Sequence, residues 1–265
     1  MDTKKYLTEH YGTNYNENER LISQHGSVEF LTTRHYIERY LKPDNRIIEI
    51  GAGTGRYSHA LARQGYTVDA VELVEHNIEV FLQNTQPGEK ISIKQGNAMD
   101  LCGFSDNTYD ITLLLGPLYH LYTKEDKQKA ISEALRVTKS SGVVFAAYCI
   151  SDGTILTEGF IRKSISLRDL MDKGFIDPET FATSSEPVLL FELVRKEHID
   201  ELMADFPVTR LHYVATDGYT HHMIETVDAM DDSEFELYLQ YHFATCERLD
   251  MVGLSHHVID VFRKD

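Results

Sequence analysis

Positive charge is in short supply in this 265-residue sequence: Lys and Arg number 26 against 42 Asp and Glu, a formal net of −16. A surface of that sign repels phosphate backbones, so nucleic acid is not an expected partner. A small or cationic ligand meets no such barrier. Cysteine is also sparse. Cys102, Cys149 and Cys246 stand far apart, with no metal or redox spacing, and the expectation is reduced, packed thiols in a cytoplasmic protein. No apolar run approaches roughly 18 residues, and Met1-Asp2-Thr3-Lys4-Lys5 leads into polar sequence rather than a signal peptide. A membrane is therefore not an expected partner. Internal repeats and low-complexity tracts are missing too. What is present is 42% hydrophobic residues, enough to fill the core of one large α/β domain with insertions.

The organising stretch is Arg46-Ile47-Ile48-Glu49-Ile50-Gly51-Ala52-Gly53-Thr54-Gly55-Arg56. A short apolar run carrying one acid stops at three glycines spaced two apart. Helix-compatible spacing follows at once, with Tyr57, Ala60, Leu61 and Gln64 on one face and Gly65 as the stop. This reads as strand, tight turn and helix, the first crossover of a parallel sheet. A ligand is expected at the carboxyl end of the first strand. Dinucleotide sites use Gly-x-Gly-x-x-Gly, whereas here Arg56 occupies the place of the third glycine. Glu49, two residues before the turn, would repel a phosphate but suit an ammonium or sulfonium. The second strand, Thr67-Val68-Asp69-Ala70-Val71, ends in Glu72, where an acid can take both hydroxyls of a ribose. A nicotinamide-binding turn and an unliganded glycine loop are the alternatives.

The acid, the short-spaced glycines and the ribose acid together resemble the S-adenosylmethionine (AdoMet) site of the class I methyltransferases, strongly over about residues 46 to 150. The resemblance implies an α/β Rossmann-like sheet of seven strands, mostly parallel with the last antiparallel, and helices on both faces. It implies one domain over 1–265: an N-terminal helical lid at 1–42, an AdoMet-binding core at 43–150, a helical cap inserted at 151–190, and strands and helices at 191–265 that complete the sheet. Gly51, Ala52, Gly53 and Gly55 would form the turn, Glu49 would support the methionine amine, Glu72 with Leu73 would hold the ribose, Asn97, Ala98 and Met99 would surround the adenine, and Leu115 and Gly116 would lie under the methionine part. Asn97 stands where the family usually has Asp, but an amide oxygen can still accept from the adenine amine.

The second informative stretch follows the fourth strand, Ile111 to Leu115: Gly116-Pro117-Leu118-Tyr119-His120-Leu121. It resembles the exit loop of a subset of small-molecule class I enzymes, and not the Asn/Asp-Pro-Pro-Tyr loop of enzymes acting on DNA or protein amines. The implied activity is methyl transfer from AdoMet to a small-molecule acceptor by in-line displacement, leaving S-adenosylhomocysteine, with most of the rate coming from alignment. A non-catalytic AdoMet-binding protein on the same scaffold and an NAD(P)-dependent oxidoreductase are the competing functions.

His120 is the candidate base. Tyr119, Tyr122, Tyr148, Tyr241, His242 and Arg20 are candidates for the acceptor pocket, and His25 and Thr33 are weaker ones. His221-His222 and His256-His257 form pairs, and His242 and Cys246 stand at i and i+4. A zinc site needs three or four convergent ligands, and adjacent histidines on a strand point to opposite faces, so His256 and His257 cannot both bind one ion easily; no metal is expected. Helices are expected at Ser27–Leu41, Glu75–Gln83, Glu125–Val137, Lys196–Asp205 and Glu234–Met251. Later strands are expected at Val143–Ile150, Arg210–Ala215 and His256–Phe262.

Overall fold

A computed structural model of the chain describes residues 3–11 and 23–265. The strands are β1 (Arg46–Ile50), β2 (Thr67–Glu72), β3 (Ile91–Gln95), β4 (Tyr109–Leu114), β5 (Thr138–Ile150), β6 (Leu193–Val194), β7 (Val208–Ala215) and β8 (His257–Lys264). They form one sheet in the order β3-β2-β1-β4-β5-β8-β7, with β6 beside the end of β5. Pairing is parallel from β3 through β5, while β8 runs antiparallel to both β5 and β7. The near-unbroken apolar runs of β1 and β4 follow from this, because helices cover both faces of a parallel sheet. Apart from Arg46, every residue of β1 is buried.

Among the described residues eight strands stand where seven are expected. The extra one, β6, has only two residues and pairs with Cys149 and Ile150. The chain reaches that position because Glu192 donates its backbone N–H to the Tyr119 carbonyl at 2.8 Å, which ties the segment after residues 151–190 to the loop after β4. β5 also starts earlier than expected, at Thr138; a register shift and a left-handed Ser141 (φ 63°) absorb the turn chemistry at Ser140-Ser141-Gly142.

Helix Gln24–Glu38 begins three residues ahead of expectation, because the Ser23 hydroxyl caps it by accepting from Gly26 N–H at 3.2 Å. The last long helix is Asp232–Thr245, not Glu234–Met251. A capping box sets its start: the Asp231 carboxylate accepts from Glu234 N–H at 2.9 Å and Glu234 accepts from Asp231 N–H at 3.2 Å. Within this helix only His242 is buried, and Leu249 beyond it is 70% exposed. Residues 151–190 comprise a short helix (Ser151–Thr154) running into a π-helical stretch (Ile155–Ile161), then Leu167–Asp172 and a 3-10 turn at Pro187–Leu189. Among the described residues no helix is long and apolar enough to cross a membrane.

Candidate functional site

The loops at the carboxyl ends of β1, β2, β3 and β4 meet around a cavity of about 960 Å³. The two informative stretches of sequence interlock there. Gly51 has φ 77°, and a Cβ on it would lie 2.6 Å from the Pro117 ring. Both the conformation and the contact require glycine. Gly51 and Ala52 each donate a backbone N–H to the Val71 carbonyl, at 2.8 and 3.0 Å, which ties the turn to the end of β2.

Glu72 fixes the same turn from the other side. One carboxylate oxygen accepts from Gly53 N–H at 2.8 Å; the other accepts from Val74 N–H at 2.8 Å and Asn77 Nδ2 at 3.3 Å. Burial pushes the Glu72 carboxyl up, against the pull of these bonds. Glu49 is more deeply perturbed. Burial raises its pKa to about 8, opposed by bonds from the Ser58 hydroxyl and the Ser58 backbone N–H (2.9 Å) in the first turn of helix Arg56–Arg63. Among the described residues, neither acid has a basic ion-pair partner.

Of the residues expected at the cofactor, Glu49, Gly51, Ala52, Gly53, Glu72, Leu73, Asn97, Ala98, Met99, Leu115 and Gly116 all line the cavity. Gly55 does not: a Cβ there would lie 2.5 Å from Phe81 and 2.7 Å from His59, so this glycine serves the seating of the helix. Asn97 turns its amide oxygen onto Met99 N–H at 3.0 Å, closing a local turn with a second lone pair still available.

At the other end, Tyr119, His120 and Tyr122 line the cavity. His120 Nδ1 lies 2.8 Å from the Leu190 carbonyl, which can only accept, so Nδ1 carries the proton. Nε2 then accepts from the Tyr11 hydroxyl at 3.2 Å. Burial lowers the His120 pKa to about 4. The imidazole is therefore neutral at pH 7 and held at both nitrogens. The Leu190 carbonyl also accepts from Tyr122 at 2.6 Å, and Leu190 sits at φ 66°, a conformation costly for a non-glycine residue. These two donors from the loop after β4 bind the insertion to that loop.

The remaining acceptor candidates lie elsewhere. Tyr148 is buried in the sheet, its hydroxyl on the Met203 sulfur at 3.8 Å. Tyr241 is 53% exposed, because its position on helix Asp232–Thr245 faces outward. His242 is buried beside Gly218, away from the cavity. Thr33 is buried in its helix, and Arg20 lies outside the described residues. His25 does line the cavity, its Nδ1 paired with Asp228 at 2.7 Å. Sequence reasoning missed Glu29, Glu158, Phe191, His256 and His257 on the cavity wall. The paired histidines were the one visible signal.

Residues 48–146 match the family model described as a methyltransferase domain. The demethylmenaquinone methyltransferase of Clavibacter sepedonicus is 33% identical over 98 residues, 37% of this chain and 38% of that protein. The ubiquinone biosynthesis O-methyltransferase of Pseudomonas entomophila is 23% identical over 192 residues, 72% of this chain and 81% of that protein. The chain spans less than half the length of the first curated relatives it matches. Among solved structures, the magnesium protoporphyrin IX methyltransferase of Synechocystis, determined with bound SAM, superposes with a TM-score of 0.57 at 11% identity, covering 100% of this chain and 98% of that one. Residues 48–146 are thus a methyltransferase domain, carried on the fold of the S-adenosylmethionine-dependent methyltransferases among the solved structures.

Proposed function

We propose that the protein transfers a methyl group from AdoMet to a small-molecule acceptor held at the Tyr119–Tyr122 end of the cavity. The observation that carries this reading is the cavity itself. At about 960 Å³ it sits at the top of the roughly 300–1,000 Å³ range of small-molecule pockets, room for a nucleoside and a second molecule in one continuous space. Two relatives support a small acceptor, since their names specify quinone-pathway substrates.

The residues present fit the cofactor. Gly51 and Gly53 present bare backbone to the cavity, and two buried acids without basic partners await a cation, whereas a pyrophosphate would meet both. When bound, AdoMet supplies the methyl group on a positive sulfur. The chain's own residues do the rest: Glu49 in its ionised form neutralises an ammonium, Glu72 accepts from ribose hydroxyls, and the tyrosine faces suit a sulfonium. His120, neutral and doubly bonded, positions the acceptor or, when Tyr11 moves away, takes a proton through Nε2.

Incubation of the purified protein with AdoMet and a panel of hydroxyl, amine and thiol metabolites, read by S-adenosylhomocysteine formation, tests the reading. Acceptor-dependent product is the expected result. Tight AdoMet binding with no product from any acceptor class would favour a binding module instead.

A further inference from the structure

Beyond the methyl-transfer machinery, His221 and His257 of the cavity wall meet a buried acid just behind it, a cluster that the reaction does not need. Asp217 and His221, four residues apart after β7, meet His257 at the start of β8. His257 Nδ1 lies 2.7 Å and His221 Nε2 3.3 Å from the same carboxylate oxygen, Asp217 Oδ2. The other oxygen, Oδ1, is taken by the chain: it accepts from the Ser255 hydroxyl, from His256 N–H at 2.9 Å and from His257 N–H at 3.3 Å. One face of the carboxylate is thus anchored, and the other is turned to two imidazoles.

We propose that Asp217, His221 and His257 bind a divalent transition-metal ion whose open coordination positions face the cavity. The donor set decides the class of ion. Two imidazoles and one carboxylate suit Zn, Fe(II), Co(II) or Mn(II), whereas calcium and magnesium prefer all-oxygen shells. Geometry permits it. The three donor atoms lie within 4.8 Å of one another, and two donors on one ion with bonds of about 2.1 Å can stand at most about 4.2 Å apart, so closure needs little movement. The anchored Oδ1 is the kind of outer support that orients a metal ligand.

A second observation points to a ligand. His256 is 7% exposed and lines the same cavity, yet its Nε2 has no hydrogen-bond partner among the described residues. Its ring stacks on His221 at 4.2 Å. A water or an acceptor atom on the ion would give that nitrogen its missing partner. His222 makes the contrast: its Nδ1 accepts from Thr157 and its Nε2 donates to Leu254 O, at 2.8 and 2.7 Å, so it serves as an ordinary brace. Glu29, whose carboxylate lies 3.7 Å from His257 Nδ1, offers a further oxygen on the open side. The expectation of no metal rests on His256 and His257 pointing to opposite faces; the fold instead brings His221 to His257. That the ion would receive the acceptor rests on the function proposed above, but metal binding does not.

The test uses the full chain, stripped with chelator and then titrated with Co(II) and with Zn(II). Binding is read by visible absorption and by elemental analysis, and AdoMet affinity is measured in parallel by calorimetry. The expected result is roughly one equivalent of Zn(II) bound in micromolar or tighter fashion, with cobalt bands of a nitrogen and oxygen site. His221→Gln and the milder Ser255→Ala should each weaken metal binding at least about tenfold while circular dichroism stays unchanged. Substoichiometric metal in the parent, or equal affinity in parent and His221→Gln, would overturn the proposal and leave Asp217 as the centre of a structural ion-pair network. Failure of the parent to bind AdoMet would instead count against the methyltransferase reading, whatever the metal result.

Discussion

The two ends of the cavity are built in opposite ways. The glycine-turn end comes almost wholly from residues 49–54, 71–77 and 96–99, each set sitting at the tip of one strand. Its polar groups are satisfied locally: Glu72 bonds residues 19 positions before it and 2 and 5 after it. The far end gathers residues from the segment before β1, the loop after β4, the stretch leading into β6 and the segments flanking β8. His120 alone touches Tyr11, 109 positions away, and Leu190, 70 positions away. The difference teaches where specificity resides in such a chain. One end is fixed by the crossover geometry of the sheet, and the other is free to vary with every segment that reaches it.

Substitutions that strike one end only can break that division. The largest effect is expected from Gly51→Ala. A methyl group at φ 77° and 2.6 Å from Pro117 should reduce AdoMet affinity by about a hundredfold and cost about 1–3 kcal/mol of stability; calorimetry and thermal unfolding would show both. Glu72→Ala removes the acceptor of Gly53 and Val74 and should weaken AdoMet about tenfold or more, about 1.4 kcal/mol. An unchanged affinity would mean that the acid supports only the fold. At the far end, His120→Ala should lower turnover about tenfold with AdoMet affinity nearly unchanged. Equal losses in both would erase the distinction between the two ends.

A pH titration sharpens the comparison. The Glu49 carboxyl, at about 8, is mostly protonated at pH 7 in the free protein, and a cationic ligand lowers that value by favouring the carboxylate. Binding therefore releases a proton, and affinity should rise several-fold from pH 6 to pH 7, below the range near 8 in which an α-amine loses its charge. Calorimetry in two buffers of different ionisation enthalpy would count the proton. A flat profile would mean that the ligand does not approach Glu49. The smallest effect belongs to Tyr241→Ala: this side chain is exposed and off the cavity, and the change should stay within about 0.5 kcal/mol of stability with kinetics unaltered.

How much was legible follows the same division. β1, β3 and the exit loop of β4 could be read because glycine spacing, apolar runs and turn residues are local signals, and the residues at the glycine-turn end inherit that locality. β6 left no signal, since two residues have no periodicity and its position depends on the Glu192–Tyr119 bond. Tyr241 misled because helix Asp232–Thr245 is apolar around much of its circumference, so spacing does not say which face is inward. Gly55 misled for another reason: a glycine needed for packing against Phe81 and His59 looks in sequence like one needed for a ligand. Asp217 was invisible, because nothing near it in the chain announces that Ser255 and the two histidines will converge on its carboxylate.

The grip of Glu72 on Gly53 and Val74 has a thermodynamic corollary. The chain's own hydrogen bonds hold the loop in shape, so its ordering belongs to folding and is not charged against association. Affinity differences among nucleoside analogues should therefore report how each molecule itself fits, free of any rearrangement of the wall that receives it.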